Sequence, residues 1–509
     1  MSQTSINNKR IAKNTVLLYV RMLLTMAIGF YTSRIILNTL GITDYGINNV
    51  VGGIVTMFTF INSSMALTTS RNLTYNLGKN DMVKLRETFK CGITIHAILG
   101  LSIFILAETV GLWFLYSKMV IPPERFDVAL WVFHLSILGT FTNILIVPYY
   151  SDIISNERMG VFAWISISDV TMKLLICYCI TILPFDHLKV YAILFFTTTL
   201  ITNCIYVLYC RRSFGEARFG FCWKKNILKD LFSFAGWTMV GQLAFVGFTQ
   251  GLNMLLNVFF GPSVNAARGV AVQVQSIVYK FVSGFQTAFN PQLTKSYAQN
   301  DLNGMHKLIY SSSKFSYYLI LLLSIPVIFE THWLLVVWLK IVPEYAVPFF
   351  RIIIFTSYIE TLAYPLTISA MATGAVKKWN ILVGTILLLI VPFSYIALLL
   401  GASPTSVFII HLSCSIISQI LRVFLLRSMI SLSIPKYLSN VVLPIVKVSA
   451  IAFSLTILFH RYFPEETLRD VCLVAVFGTV VNLLAIMYVG MNRNERELCL
   501  GYVRKIVKR

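Results

Sequence analysis

The sequence predicts an all-α polytopic membrane protein with about 14 transmembrane helices. Three observations carry this. The 509-residue chain is 57% hydrophobic and only 12% charged, with a mean hydropathy of +0.75; a soluble domain carries about 25% charged residues. Its apolar residues fall in runs of the length that crosses about 30 Å of hydrocarbon, roughly 20 residues each. Its charges fall in short loops between those runs, and their abundance alternates from loop to loop.

Taken in order, the apolar runs cover residues 14–40, 45–77, 86–116, 126–152, 159–183, 188–210, 229–260, 263–297, 307–339, 345–373, 379–400, 405–430, 438–460 and 469–490. The first is too long for a signal peptide and lacks a small-residue cleavage site, so it is expected to remain. With the N-terminus inside, the inner segments hold 27 lysines and arginines. The outer segments hold 6: Lys118, Arg125, Lys189, Lys340, Arg461 and Arg469. Basic residues favour the cytoplasmic side, which puts both termini there. The formal charge of +21 would suggest nucleic acid in a soluble protein. Here no basic block is long enough, and the excess reads as topogenic charge that also meets anionic headgroups.

The longest inner loop, RRSFGEARFGFCWKKNILK at 211–229, divides the first twelve spans into two six-helix lobes, residues 1–210 and 230–430. Residues 431–509 add two helices and a basic cytoplasmic tail. A shift of 220 positions aligns Gly41 with Gly261, Leu73 with Leu293, Thr74 with Thr294, Asn80 with Asn300 and Asp81 with Asp301. Each copy has six spans, so the two share one orientation, an arrangement that builds alternating-access transporters.

No catalytic constellation is present. There is no Walker A loop and no HExxH. The nine cysteines form no CxxC pair or zinc spacing, so no metal site or cofactor is expected. The informative residues are polar ones inside the spans. Arg268, Gln275, Tyr279, Gln286 and Asn290 fall within about 60° of one another at 100° per residue. Gln242, Thr249 and Asn253 form a shorter stripe on the preceding span. Asn49, Gly53, Thr56, Ser63 and Ser70 line the second span, with Arg71 close by. Arg34 and Asn38 lie one turn apart on the first. Amides and hydroxyls bind helices to one another in bundles. Arginine in hydrocarbon costs about 2.5–3.5 kcal/mol, so arginines at several heights point to a water-filled cavity. Arg21, Arg71 and Arg422 can instead snorkel to lipid phosphates. Among the acids, Asp169 and Lys173 lie at i, i+4 and form either a structural pair or a coupling site for H+ or Na+. Glu108, Glu330 and Glu360 are further coupling candidates, each lying near a helix end.

The stretch YTSRIILNTLGITDYGINNVVGGIV at 31–55, the turn NLGKND at 76–81, and NAARGVAVQVQ and FQTAFNPQLTKSYA within 265–298 resemble the polysaccharide-export branch of the multidrug/oligosaccharidyl-lipid/polysaccharide (MOP) exporter superfamily. The similarity extends over roughly residues 10–430, and members resemble the O-antigen repeat-unit flippases. The resemblance implies a MATE-like pair of six-helix lobes around a V-shaped cavity, sometimes with extra C-terminal helices. It also implies a flippase of the bacterial inner membrane, working by alternating access. The cargo would be undecaprenyl-pyrophosphate-linked glycans for surface polysaccharide. A basic cavity anchors the pyrophosphate in that family, and the matching contexts carry that role to Arg34 and Arg268, and by extension to Arg71. Asn38, Asn253, Gln275 and Gln286 complete the expected cavity lining. The implied partners are the lipid-linked oligosaccharide, membrane lipids and other polysaccharide-assembly proteins.

Two other readings compete. A cation-coupled multidrug exporter of the same superfamily predicts an acidic cavity. A membrane glycan polymerase or ligase predicts paired acids or histidines in large outer loops, whereas Glu124, Asp127, Asp186, Glu465 and Glu466 lie in short loops without such an arrangement.

Overall fold

The structure is a computed structural model. It describes the backbone of residues 14–497 except 30, 33, 34, 37, 38, 41–43, 45, 46, 49–58, 119, 120, 340, 341, 464–466 and 494. Side chains are described for these residues except 59–63, 114, 118, 257, 261–263, 265, 266, 338 and 339. Most of the described residues are helical, with no strand among them. Eleven of their helical stretches are long and apolar enough to cross a membrane. The other three predicted spans are also helical where described. Asn14–Gly29 is a shorter apolar helix. Thr59–Gly78 and the 263–298 region are absent from the eleven because of the polar residues that drew notice in the sequence.

The chain forms two compact units. Unit 1 is Met1–Gln242 with Thr294–Asn300; unit 2 is Leu243–Leu293 with Asp301–Arg509. Unit 1 contains α1 (Asn14–Gly29), α2 (Thr59–Gly78), α3 (Met82–Leu106) and α4 (Leu112–Lys118), the last two joined by a π turn over Ala107–Gly111. It continues with α5 (Phe126–Leu145), α6 (Val147–Ser155), α7 (Met159–Ile182) and α8 (His187–Ser213). Pro148 in the first turn of α6 explains why α5 does not run on. α2 packs on α3 and α6, α3 on α5, and both α5 and α7 on α8. Leu73, Leu85, Phe89, Ile153 and Cys210 meet in one core cluster. At one end Arg125 pairs with Asp44 and with Asp186, the latter at 2.5 Å, joining three distant positions of the chain. At the other end the 214–224 stretch lies along α3: the Cys222 amide donates to Thr94 Oγ1 at 3.0 Å, and Lys224 pairs with Glu87.

α9 (Lys225–Ala298) is continuously helical by its backbone hydrogen bonds. It is not straight. Arg268 donates to Thr249 O at 3.0 Å and to Asn253 Oδ1 at 3.1 Å. A straight helix would separate residues 249 and 268 by about 28 Å, so the chain reverses between residues 253 and 268. This makes two arms, matching the two spans read from the sequence.

Unit 2 continues with α10 (Leu302–Phe329), α11 (Thr331–Leu339), α12 (Ala346–Thr373), α13 (Val376–Leu399) and α14 (Thr405–Ile430). The short α15 (Ile434–Tyr437) leads to α16 (Leu443–His460) and α17 (Leu468–Ala485). α12 packs against α10 and α14, and α13 against α14. α16 and α17 stack on each other, with the Phe459 and Phe477 rings 3.9 Å apart, and dock on α10. A Cβ on Gly478 would lie 3.0 Å from Ile325 Cγ2, so the absence of a side chain allows that docking.

The repeat seen in the sequence has the same local chemistry at both copies. Asn80 and Asn300 sit at φ +56° and +59°, the left-handed region that asparagine tolerates. Asp81 then caps α3 by accepting from the Lys84 amide at 3.0 Å, and Asp301 caps α10 by accepting from the Gly304 amide at 2.8 Å.

Candidate functional site

Arg34 and Asn38 lie outside the described residues, as do Asn49, Gly53 and Thr56. The remaining sequence-predicted residues fall into three local settings.

In unit 1, the Arg71 guanidinium lies 4.9 Å from the Tyr75 ring and 5.4 Å from the Phe234 ring, with Nη1 donating to Asn72 Oδ1 at 3.0 Å. Aromatic faces hold a cation without consuming its hydrogen-bond donors. Arg21 is placed similarly, 4.7 Å over Phe162. Asp169 accepts from Lys173 Nζ at 2.8 Å and from Thr202 Oγ1 at 3.1 Å. Lys173 also faces the Phe195 ring at 4.7 Å.

In unit 2, Arg268 joins the two arms of α9 through Thr249 and Asn253, and its Nε is buried without a hydrogen-bond partner. Gln275, Gln286 and Asn290 face α12. Gln275 Nε2 donates to Ser357 Oγ at 2.6 Å, Gln286 Nε2 to Thr361 O at 2.9 Å, and Asn290 Nδ2 to Tyr364 Oη at 2.9 Å. Gln286 is 1% exposed. These contacts are inter-helix bonds. Arg268 thus faces the first arm of α9, and the three amides that follow it on the stripe face α12.

The third setting is one the sequence did not reveal. Each of the three glutamates noted inside or near the ends of the spans meets a histidine on another helix. His134 Nδ1 lies 2.9 Å from Glu108 Oε1, on the π turn of α3. His411 Nε2 lies 3.2 Å from Glu360 Oε1, with the His411 ring 4.9 Å from Phe248. His460 Nδ1 lies 3.6 Å from Glu330 Oε1. Spacing gives no signal for these partners, because each pair joins distant segments. Asp152 was also missed. It is fully buried, and Asn156 Nδ2 donates to its Oδ1 at 3.1 Å.

A cavity of about 570 Å³ in unit 1 is lined by Asp81, Lys84, Glu87, Lys224, Lys225 and Asp230, among others. Three carboxylates against three lysines match no ligand of a single sign. Among the described residues no group of three or more His, Cys, Asp or Glu is placed to hold a metal ion.

No family model and no curated protein matches the chain. Solved structures do. A multidrug resistance MATE family transporter of the MOP superfamily, in an outward-facing conformation, aligns with TM-score 0.72 at 13% identity over 84% of this chain and 96% of its own. A MATE transporter in a bent conformation aligns with TM-score 0.73 at 13% identity over the same shares. A MOP superfamily transporter from Pyrococcus furiosus, described as having a binding pocket of reversed polarity, aligns with TM-score 0.68 at 13% identity over 83% and 96%. At this identity the likeness establishes the fold: the chain has the fold of the MATE transporters of the MOP superfamily.

Proposed function

We propose that this chain is a flippase for lipid-linked oligosaccharides. It would carry undecaprenyl-pyrophosphate-linked glycans from the cytoplasmic to the periplasmic leaflet of a bacterial inner membrane, without chemistry of its own. The supporting observation is the placing of arginines within the helices. Arg71 is held by two aromatic faces, and Arg268 keeps a buried Nε beyond its two hydrogen bonds. A pyrophosphate carries about two negative charges, and each charge-assisted hydrogen bond to a guanidinium contributes about 1.5–3 kcal/mol. Arg34, Arg71 and Arg268 are the proposed diphosphate ligands, and Asn38 and Asn253 the proposed sugar contacts. Gln275 and Gln286, held by α12, position the second arm of α9. The reversed polarity ascribed to the Pyrococcus protein indicates that this fold accommodates more than one pocket charge.

The same fold serves multidrug exporters, and pocket charge separates the two readings. The test is binding of a soluble pyrophosphate-sugar analogue and of an organic cation to purified protein. The flippase reading expects the analogue to bind, and Arg34→Ala and Arg268→Ala each to weaken it at matched folded concentration. Binding of the cation alone, or analogue binding unchanged in both variants, refutes it. The proposed cytoplasmic placement of both termini is checked with single cysteines at Ser213 and Ser403 in a cysteine-free background. An impermeant reagent on intact cells should label position 403 and not 213.

A further inference from the structure

The 214–224 stretch leads from α8 to α9 without helical structure, and from Phe219 onward its side chains alternate. Phe219, Phe221 and Trp223 are 58%, 58% and 70% exposed. Gly220 and Cys222 face α3 instead. A Cβ on Gly220 would lie 3.3 Å from Lys90 Cε, Cys91 Sγ donates to Cys222 O at 3.5 Å, and the Cys222 amide donates to Thr94 Oγ1 at 3.0 Å. Cys222 also packs against the cluster of Met65, Cys91, Ile95 and Leu231. A period of two is that of an extended chain, so three aromatic rings share the side turned away from the protein.

The level at which the rings stand is set by α3. Its first turns carry Lys84, Arg86, Glu87 and Lys90, and no Asp, Glu, Lys or Arg follows from Cys91 to its end at Leu106. Water therefore gives way to hydrocarbon near Lys90 and Cys91, the residues that the stretch touches. A chain without helical or sheet bonding does not lie deep in hydrocarbon against lipid, whereas amphipathic aromatic rings collect at the headgroup level. Charge agrees with this placing. Within 211–229 the bases Arg211, Arg212, Arg218, Lys224, Lys225 and Lys229 are all exposed. The one acid of the stretch, Glu216, is 8% exposed and accepts from Asn156 Nδ2 at 3.4 Å.

We propose that residues 219–223 form a lipid-binding strip. Its three rings enter the headgroup boundary of a leaflet that contains anionic phospholipid, and the flanking bases meet the lipid phosphates. Lys224 is engaged by Glu87, which leaves Arg218 and Lys225 as the nearest bases for that contact. On the proposed topology the leaflet is the cytoplasmic one, and the connection between α8 and α9 is held on it rather than lying free in water. The occupant is lipid rather than a protein partner for two reasons. The rings stand where α3 leaves the water, and the exposed charges of the stretch itself are of one sign, opposite to that of lipid phosphate. The proposal rests on the membrane fold and on the polarity of α3, not on the cargo.

Spin labels on the full-length protein in nanodiscs read the level directly. Phe219→Cys, Phe221→Cys and Trp223→Cys are each labelled in a cysteine-free background. Collision with oxygen, which dissolves in lipid, is compared with collision with a neutral nickel chelate, which stays in water. Val83→Cys is the control: Val83 is also 70% exposed, but lies about 10 Å along α3 on the aqueous side of Lys90. The oxygen-to-chelate ratio should be several-fold higher at 219, 221 and 223 than at 83. At 221 it should be higher in nanodiscs containing phosphatidylglycerol than in phosphatidylcholine alone, and Arg218→Gln with Lys225→Gln should remove that gain. Ratios equal to that at 83, low collision with both reagents, or no dependence on phosphatidylglycerol each overturn the proposal. Removing Cys91 and Cys222 touches the strip's own contacts, so the protein with its natural cysteines supplies a second reading. Phospholipid brominated at the headgroup end of its acyl chains should quench tryptophan emission, and Trp223→Phe should lose part of that quenching. Unchanged quenching overturns the proposal equally. No glycan enters either measurement, so failure here is separate from failure of the flippase reading.

Discussion

α12 and α13 follow each other in the chain, yet their composition and burial run in opposite directions. The most apolar stretch of α12 has hydropathy 1.4 and is 61% buried; that of α13 has hydropathy 2.5 and is 28% buried. α12 contributes Ser357, Thr361 and Ser369 to the interior, each 0% exposed, and α13 turns Leu388, Phe393 and Ile396 outward. In water the more apolar helix would be the inner one. In lipid, apolar surface is already solvated, and small polar side chains that bond across helices hold the interior together. Hydropathy therefore marks the lipid-facing helices here, and hydroxyls mark the core. α10 belongs with α12: its most apolar stretch is also 61% buried, and Ser324 Oγ and Tyr358 Oη lie 2.6 Å apart between the two.

The sharpest way to break the comparison is at Lys314 on α10. It is 2% exposed, and its Nζ meets Glu495 at 2.9 and 2.7 Å. Breaking a fully buried pair costs about 3–5 kcal/mol; Glu495 is 21% exposed, so Lys314→Ala should cost about 2–3 kcal/mol. Thermal unfolding of the purified protein in detergent checks it, and a loss below about 0.5 kcal/mol would remove α10 from the interior.

A smaller effect sharpens the comparison through two substitutions of opposite kind. Ser324→Leu adds bulk between α10 and α12 and should cost about 1–3 kcal/mol. Leu388→Ser, on the outer face of α13, should change stability by less than about 0.5 kcal/mol. A soluble-protein logic predicts the reverse order, so the same unfolding measurement distinguishes the two.

The smallest effect concerns the loop end of unit 1, where charge rather than hydroxyl bonding does the joining. Burial alone would raise the Asp186 carboxyl, but Arg125 and the amides of Leu188 and Lys189 outweigh it and hold the group below its ordinary range. A depressed carboxylate stabilises the fold above its unfolded value, about 3.9, and loses that contribution as pH falls through the folded value. Asp186→Asn should therefore lower the melting temperature slightly near pH 7, with the gap closing towards about pH 3. A gap that widens on acidification reverses the sign. The Asp186 side chain is 29% exposed, so solvent screening keeps the effect small.

Much of this architecture is readable from the sequence for reasons tied to particular residues. Asn80–Asp81 and Asn300–Asp301 were visible because a cap depends on residues within four positions. The span ending at Gly78 and the second arm of α9 count among the apolar runs of the sequence, and the alternation of charge between loops supports both, although their polar stripes keep them from being strongly apolar. The Arg268-to-Asn290 stripe was visible as a stripe; what it faces was not. Periodicity fixes a side of a helix and says nothing of the neighbour on that side, and for Gln275, Gln286 and Asn290 the neighbour is α12. The histidines facing Glu108, Glu330 and Glu360 were invisible because no local rule links residues brought together by tertiary packing.

The paired Asn–Asp turns also bear on how the protein is made. A chain leaving the ribosome presents Asn80–Asp81 long before Asn300–Asp301. Each turn completes its hydrogen bonds within a few residues, to Lys84 in one case and Gly304 in the other. Neither start of a helix has to wait for the other to be synthesised. The same short instruction, issued twice, lets α3 and α10 begin in the same way at different times, so a fault in one copy need not be copied into the next.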